Sequence, residues 1–144
     1  MTTTITADDG YRIHVAEHGD VTGRPVVLLA GFTAPATSWR HQVRSLADAG
    51  CRVLAVEVRG HGATEAIGRG VTMARRAADV ATVLEQLDVH DATFVGSSMG
   101  GNTIWAYVDA HGTDRIRSIA IVDQTPRMLN DASWTHGYYG YDPT

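Results

Sequence analysis

Residues 92–104 read ATFVGSSMGGNTI. Ala92 to Gly96 is short, apolar and partly β-branched, which suits a buried strand. From about Met99 to His111 the chain suits a helix, closed by Gly112. Between them Gly96-Ser97-Ser98-Met99-Gly100 fits G-x-S-x-G in the strand–turn–helix setting that gives this pattern meaning. Such a turn reverses the chain in about one residue. Glycines two before and two after Ser98 remove the Cβ atoms that would collide, and Gly101 eases the packing of helix on strand.

Outward from this junction, strand and helix alternate. Towards the N-terminus, Thr72 opens a helix with Met73, Ala77, Val80, Leu84 and Leu87 in steps of four and three, an amphipathic stripe. Before it, Arg59-Gly60-His61-Gly62 is a turn-rich loop after a strand at Arg52 to Val58. A helix is expected from about Ser38 to Gly50, with Trp39, Val43, Leu46 and Ala47 on one face. Pro25 to Ala30 is a continuous apolar strand, followed by a loop from Gly31 to Thr37. Thr3 to Ala7 and Tyr11 to Glu17 form a hairpin joined at Asp8-Asp9-Gly10. Beyond His111, Ile116 to Val122 is a last strand, and residues 124–144 show no period but hold Trp134, Tyr138, Tyr139 and Tyr141. The pattern predicts an α/β fold: a mostly parallel sheet of about six strands, an N-terminal antiparallel hairpin and flanking helices.

Composition narrows the function. The chain has 144 residues, 44% hydrophobic and 19% charged, enough for one packed core. Twelve basic against sixteen acidic residues, net charge −4, leave no basic footprint for nucleic acid. The longest apolar run, Pro25 to Phe32, is too short to span a bilayer, and MTTTITADDG lacks the basic and apolar regions of a secretory signal. A single cysteine, Cys51, excludes an internal disulfide framework, and scattered histidines make no metal constellation. A reduced, cytoplasmic setting is expected, with no metal and no cofactor. A nucleotide site is disfavoured, because GSSMGG matches neither dinucleotide nor phosphate-loop spacing.

The chemistry expected of the turn is nucleophilic. The strained apex presents the Ser98 hydroxyl, and the helix beginning beside it offers unpaired N–H groups carrying about half a positive charge. The Met99 N–H can then stabilise an oxyanion formed when Ser98 attacks a carbonyl. A second donor is expected from the loop after the Pro25–Ala30 strand: Gly31 lets the backbone approach, and the Phe32 N–H is the candidate. The competing readings are a plain Ser-Gly turn and a core Phe32.

Taken together, A-G-F at 30–32, R-G-H-G at 59–62, G-S-S-M-G-G at 96–101 and V-D-Q-T-P at 122–126 resemble the α/β-hydrolases, most closely their lidded esterase and cofactor-free haloperoxidase-like branch. The resemblance covers residues 1 to about 130. It implies Ser98 as nucleophile, Phe32 and Met99 as oxyanion hole, Arg59 to Gly62 as a structural loop nearby, and an ester-like small-molecule substrate. It divides the chain into residues 1–126 of a hydrolase core and residues 127–144 at the start of a lid, where Trp134 would shape an apolar pocket. The chain departs from the family at Ala30, where His-Gly usually precedes the oxyanion donor, and at Glu57, where Asp is common. A Ser nucleophile argues against the dehalogenase and epoxide hydrolase branches, which use Asp.

The base is harder to find. The family order is Ser, then Asp or Glu, then His. Only 46 residues follow Ser98, and they hold two histidines. His111 stands 13 residues along the same helix, about 20 Å away at ~1.5 Å per residue. His136 lies in the lid segment with nothing to position it. Asp123, at the end of the last strand, could orient a histidine as the acid, or it caps the turn Gln124-Thr125-Pro126. The expectation is an incomplete, N-terminal half of a serine hydrolase core lacking its catalytic histidine. The alternative is an inactive fragment or pseudoenzyme acting by pairing, as a homo-oligomer or with a complementary C-terminal chain, through the apolar edge of the last strand.

Overall fold

In the computed structural model, residues 1–64, 71–138 and 140–141 are described. Tyr139, one of the C-terminal aromatics, lies outside them. The strands are β1 (Thr2–Thr6), β2 (Arg12–His18), β3 (Arg24–Leu29), β4 (Cys51–Val56), β5 (Ala92–Ser97) and β6 (Ile116–Val122). The helices are α1 (Arg40–Asp48), α2 (Met73–Gln86) and α3 (Met99–His111). A 3-10 turn at Ala36–Trp39 precedes α1, so the helix expected from Ser38 begins in the tighter form. The other expected elements stand within two residues of their places.

One six-stranded sheet runs β1-β2-β4-β3-β5-β6. β1, β2 and β4 pair antiparallel; β3 pairs parallel with β4 and β5, and β5 with β6. Gly10 takes φ 81° in the hairpin turn, a conformation that costs glycine little. The chain leaves β3 toward β4 on one side and then crosses to β5 on the other. The ends of β3 and β5 therefore border the point where strand order reverses, the usual crevice of open α/β sheets.

Two cores flank the sheet. On one side α2 and α3 cover Val15, Val27, Leu29, Leu54, Val56 and Phe94, all nearly inaccessible. Thr72 caps α2 by accepting the Arg75 N–H at 3.1 Å. Helix α3 buries Met99, Gly100, Gly101, Thr103, Ile104 and Tyr107, and Tyr107 packs on Phe94 with ring centroids 5.4 Å apart. On the other side α1 and the 3-10 turn seal Val26, Leu28, Val53 and Ala55 beneath Trp39 and Val43. Cys51 is buried at the start of β4, as expected of a small hydrophobe. β6 has a partner on one edge only, and Ile119 and Val122 stand exposed. Among the described residues, no helix is long and apolar enough to cross a membrane.

Candidate active site

Strand β5 ends at Ser97 and α3 begins at Met99, leaving Ser98 alone to turn the chain. It does so at φ 50°, ψ −119°, a left-handed conformation that costs a non-glycine residue about 1–3 kcal/mol. The strain is held from both sides. The Ser98 N–H donates to the Val122 carbonyl at 2.9 Å, and its own carbonyl accepts the Gly101 N–H at 2.8 Å.

Serine is a preferred helix N-cap, and an ordinary cap has extended backbone with its hydroxyl bonded to a first-turn N–H. Ser98 occupies the cap position of α3 but makes no such side-chain bond. The sharp turn keeps both the half-buried hydroxyl and the first-turn N–H groups from satisfying each other.

Backbone packing explains the glycines. An ideal Cβ on Gly100 would sit 2.1 Å from the Leu29 carbonyl oxygen, and one on Gly96 would sit 2.6 Å from the backbone of Gly100 and Gly101. Helix α3 thus rests its first turn directly on the end of β3. An ideal Cβ on Gly31 would lie 3.3 Å from Ser98 Cβ and 3.9 Å from Oγ. The loop after β3 therefore passes the hydroxyl at backbone distance, and Phe32 is the next residue. Phe32 is 71% exposed, not a core residue. Its ring meets His61 edge-on, with centroids 5.8 Å apart.

His61 and its loop are more deeply built in than a surface turn. His61 is buried, and because the Arg59 carbonyl can only accept, the ring Nδ1 donates to it at 3.1 Å. Arg76 Nη1 donates to the same carbonyl at 3.1 Å. The Arg59 guanidinium bonds Asp79 through Nε and Nη2, both at 2.8 Å, reaches Asp9, and lies 4.0 Å over the Tyr11 ring. The Asp79 hydrogen bonds, against the cost of burial, raise the Arg59 pKa further. Burial pushes Arg76 the other way. Glu57, also buried, accepts the Ala36 N–H at 2.7 Å, which ties the loop after β3 to the end of β4. None of these long-range links shows in sequence, because the partners lie from 17 to 50 residues apart and follow no period.

Asp123 stands level with Ser98, since Ser97 pairs with Val122 across β5 and β6. It is exposed and left-handed, at φ 53°. The turn after it is held by Gln124, whose Oε1 accepts the Thr125 N–H at 2.9 Å. The histidine rings that hydrogen-bond among the described residues do so to partners other than Ser98: His14 with Thr4, His61 with Arg59, His90 with Asp88 and Arg115. His111 stacks on Tyr107 along α3, and His136 meets Trp134 edge-on at 5.4 Å. That C-terminal segment is knitted to itself: Asn130 Oδ1 accepts the Gly137 N–H at 2.7 Å, Tyr138 donates to the Met128 carbonyl at 2.8 Å, and Arg127 pairs with Asp131. Among the described residues no group of three or more His, Cys, Asp or Glu side chains could hold a metal ion.

Comparison with known proteins places this geometry. The family model described as alpha/beta hydrolase fold matches residues 24–143. A non-heme chloroperoxidase, CPO-A1, of Kitasatospora aureofaciens is 36% identical over 124 residues, 86% of this chain and 44% of that protein. Epoxide hydrolase A of Mycobacterium tuberculosis is 40% identical over 116 residues, 78% of this chain and 35% of that protein. Among solved structures, an esterase from Exiguobacterium antarcticum superposes with a TM-score of 0.89 at 30% identity, covering 95% of this chain and 51% of that one. The chain thus spans between about a third and a half of the length of these relatives.

Proposed function

Because the chain belongs to the α/β-hydrolase family, we propose that it carries the nucleophile half of a serine hydrolase acting on a carboxylic ester or related acyl bond. The observation that carries this reading is the uncapped Ser98 at φ 50° between β5 and α3, with the Gly31 backbone against its side chain. In the proposed reaction Oγ attacks the acyl carbon while a base takes its proton. The carbonyl oxygen becomes an oxyanion and accepts the N–H groups of Phe32 and Met99, each such donor being worth about 10²–10³ in rate. The alkoxide leaves with a proton, and water then attacks the acyl-serine to release the acid. Residues 1–126 are the core, and residues 127–144, with Trp134, begin the cover of the acyl pocket.

A serine hydroxyl needs a partner base, and without one only about 10³–10⁴-fold catalysis over water remains. We place the histidine outside these 144 residues, in the half by which the relatives are longer, with Asp123 as a candidate acid beside Ser98. Relatives that include an epoxide hydrolase leave the substrate class open at the family level, and the hydroxyl at position 98 favours acyl chemistry over an aspartate-type attack. A fluorophosphonate probe tests the assignment in the protein that includes the base: label should appear on Ser98 and vanish in Ser98→Ala. Label that survives the substitution refutes it.

The open edge of β6, with Ile119 and Val122 exposed, supports a second reading in which the chain acts by pairing with another copy or a complementary chain. Light scattering decides it: a monomer across the micromolar range counts against pairing.

A further inference from the structure

The face of the sheet under α1 carries a groove of about 560 Å3, within the ~300–1,000 Å3 of small-molecule sites. Its floor is a row of small residues across three strands: Thr2 pairs with Ala16, and Ala16 with Ala55. Its wall is the 3-10 turn and α1, through Ala36, Thr37, Arg40 and Val43. Alanines at 16, 36 and 55 leave open the space that larger side chains would fill where a helix crosses a sheet. The groove lies over β1, β2 and β4. Its lining includes none of Gly31, Phe32, Ser98 and Met99, so the groove is distinct from the Ser98 turn.

The charges around this apolar floor are asymmetric. Glu57 keeps its negative charge at the buried end of the groove, where one oxygen accepts the Ala36 N–H and the carboxylate lies against Gly62, an ideal Cβ there falling 2.2 Å away. Arg40 is exposed and enters none of the ion pairs among the described residues. His14 and His18 line the same groove, four residues apart on one face of β2. A floor of methyl groups beside one uncommitted guanidinium and two imidazoles suits a chain with an anionic end. We infer that this groove is a binding site for a medium-chain carboxylate, distinct from the Ser98 site and independent of any reaction there.

Decanoate is the probe, kept below its micelle concentration, with binding read by amide chemical shifts on the full chain. Ligand efficiency for a molecule of this size gives an expected Kd of ~0.1–1 mM. The shifts should centre on Ala16, Val43 and Ala55 and persist in Ser98→Ala. Filling the floor with Ala16→Leu should weaken binding at least tenfold. Arg40→Gln, an exposed change that leaves the fold intact, should weaken decanoate about two- to fivefold and leave decanol unaffected. The inference is overturned by no shifts up to about 5 mM, by shifts centred on Ser98, or by decanol binding as tightly as decanoate. Fluorophosphonate label that survives Ser98→Ala would sink the hydrolase reading and leave this one standing.

Discussion

If Ser98 is held in a strained turn, relieving the strain should stabilise the chain, and the effect can be isolated from loss of the hydroxyl. Ser98→Ala and Ser98→Gly both remove Oγ, so any hydrogen bonding lost is common to the two. They differ in backbone. At φ 50°, ψ −119° alanine keeps a cost of about 1–3 kcal/mol that glycine does not carry. Against this, glycine loses about 0.4–1 kcal/mol through the greater freedom of its unfolded chain. The Gly variant should therefore be more stable than the Ala variant by up to ~2.6 kcal/mol, and by about 1.3 kcal/mol at the middle of both ranges. For a chain of this size that is a rise of ~1–8 °C in Tm. The assay is reversible urea unfolding followed by circular dichroism, with equal m-values in the two variants. A control comes from Ser97, the last residue of β5, which has no left-handed backbone: there glycine should be the less stable by ~0.5–1 kcal/mol. Equal stability of the two Ser98 variants, or the same order at both positions, would refute the strained turn and with it the reason for proposing Ser98 as the nucleophile.

Gly100→Ala places a methyl group 2.1 Å from the Leu29 carbonyl oxygen, a backbone atom that cannot swing aside. It should cost at least the ~1–3 kcal/mol of an overpacked core and slow fluorophosphonate labelling by shifting α3 off β3. Arg59→Met leaves Asp79 buried with only Arg75 to answer it, so the loss should fall at the lower end of ~3–5 kcal/mol. Adding Asp79→Leu should restore most of it, and a double variant no more stable than the single one would show that the ion pair is not the cause. Asp9 has its pKa lowered from 3.8 to about 2, first by the Arg59 hydrogen bond and then by the Tyr11 N–H. A depressed carboxylate stabilises the fold above pH ~4 and loses that contribution as pH falls toward 2. Asp9→Asn should therefore flatten the acid limb of the stability profile in that window, and an unchanged limb would count against the pairing.

The alternation of strand and helix was legible because buried parallel strands are uninterrupted apolar runs and the helices carry stripes in steps of three and four. The G-x-S-x-G turn was legible for a related reason: a one-residue reversal admits few residues, so Gly96 and Gly100 announce it locally. The start of α1 was less so, since a 3-10 turn and an α-helix share their apolar spacing over four residues. What no local pattern carries is which loop meets which. That Gly31 packs against Ser98, that Asp123 stands level with it, that His61 is buried under Phe32 and that Arg59 finds Asp79 all follow from the strand order β1-β2-β4-β3-β5-β6. Local sequence sets the conformation of each segment through sterics and periodicity. The site exists only because folding sums many weak, distant contacts that bring the ends of β3, β5 and β6 together.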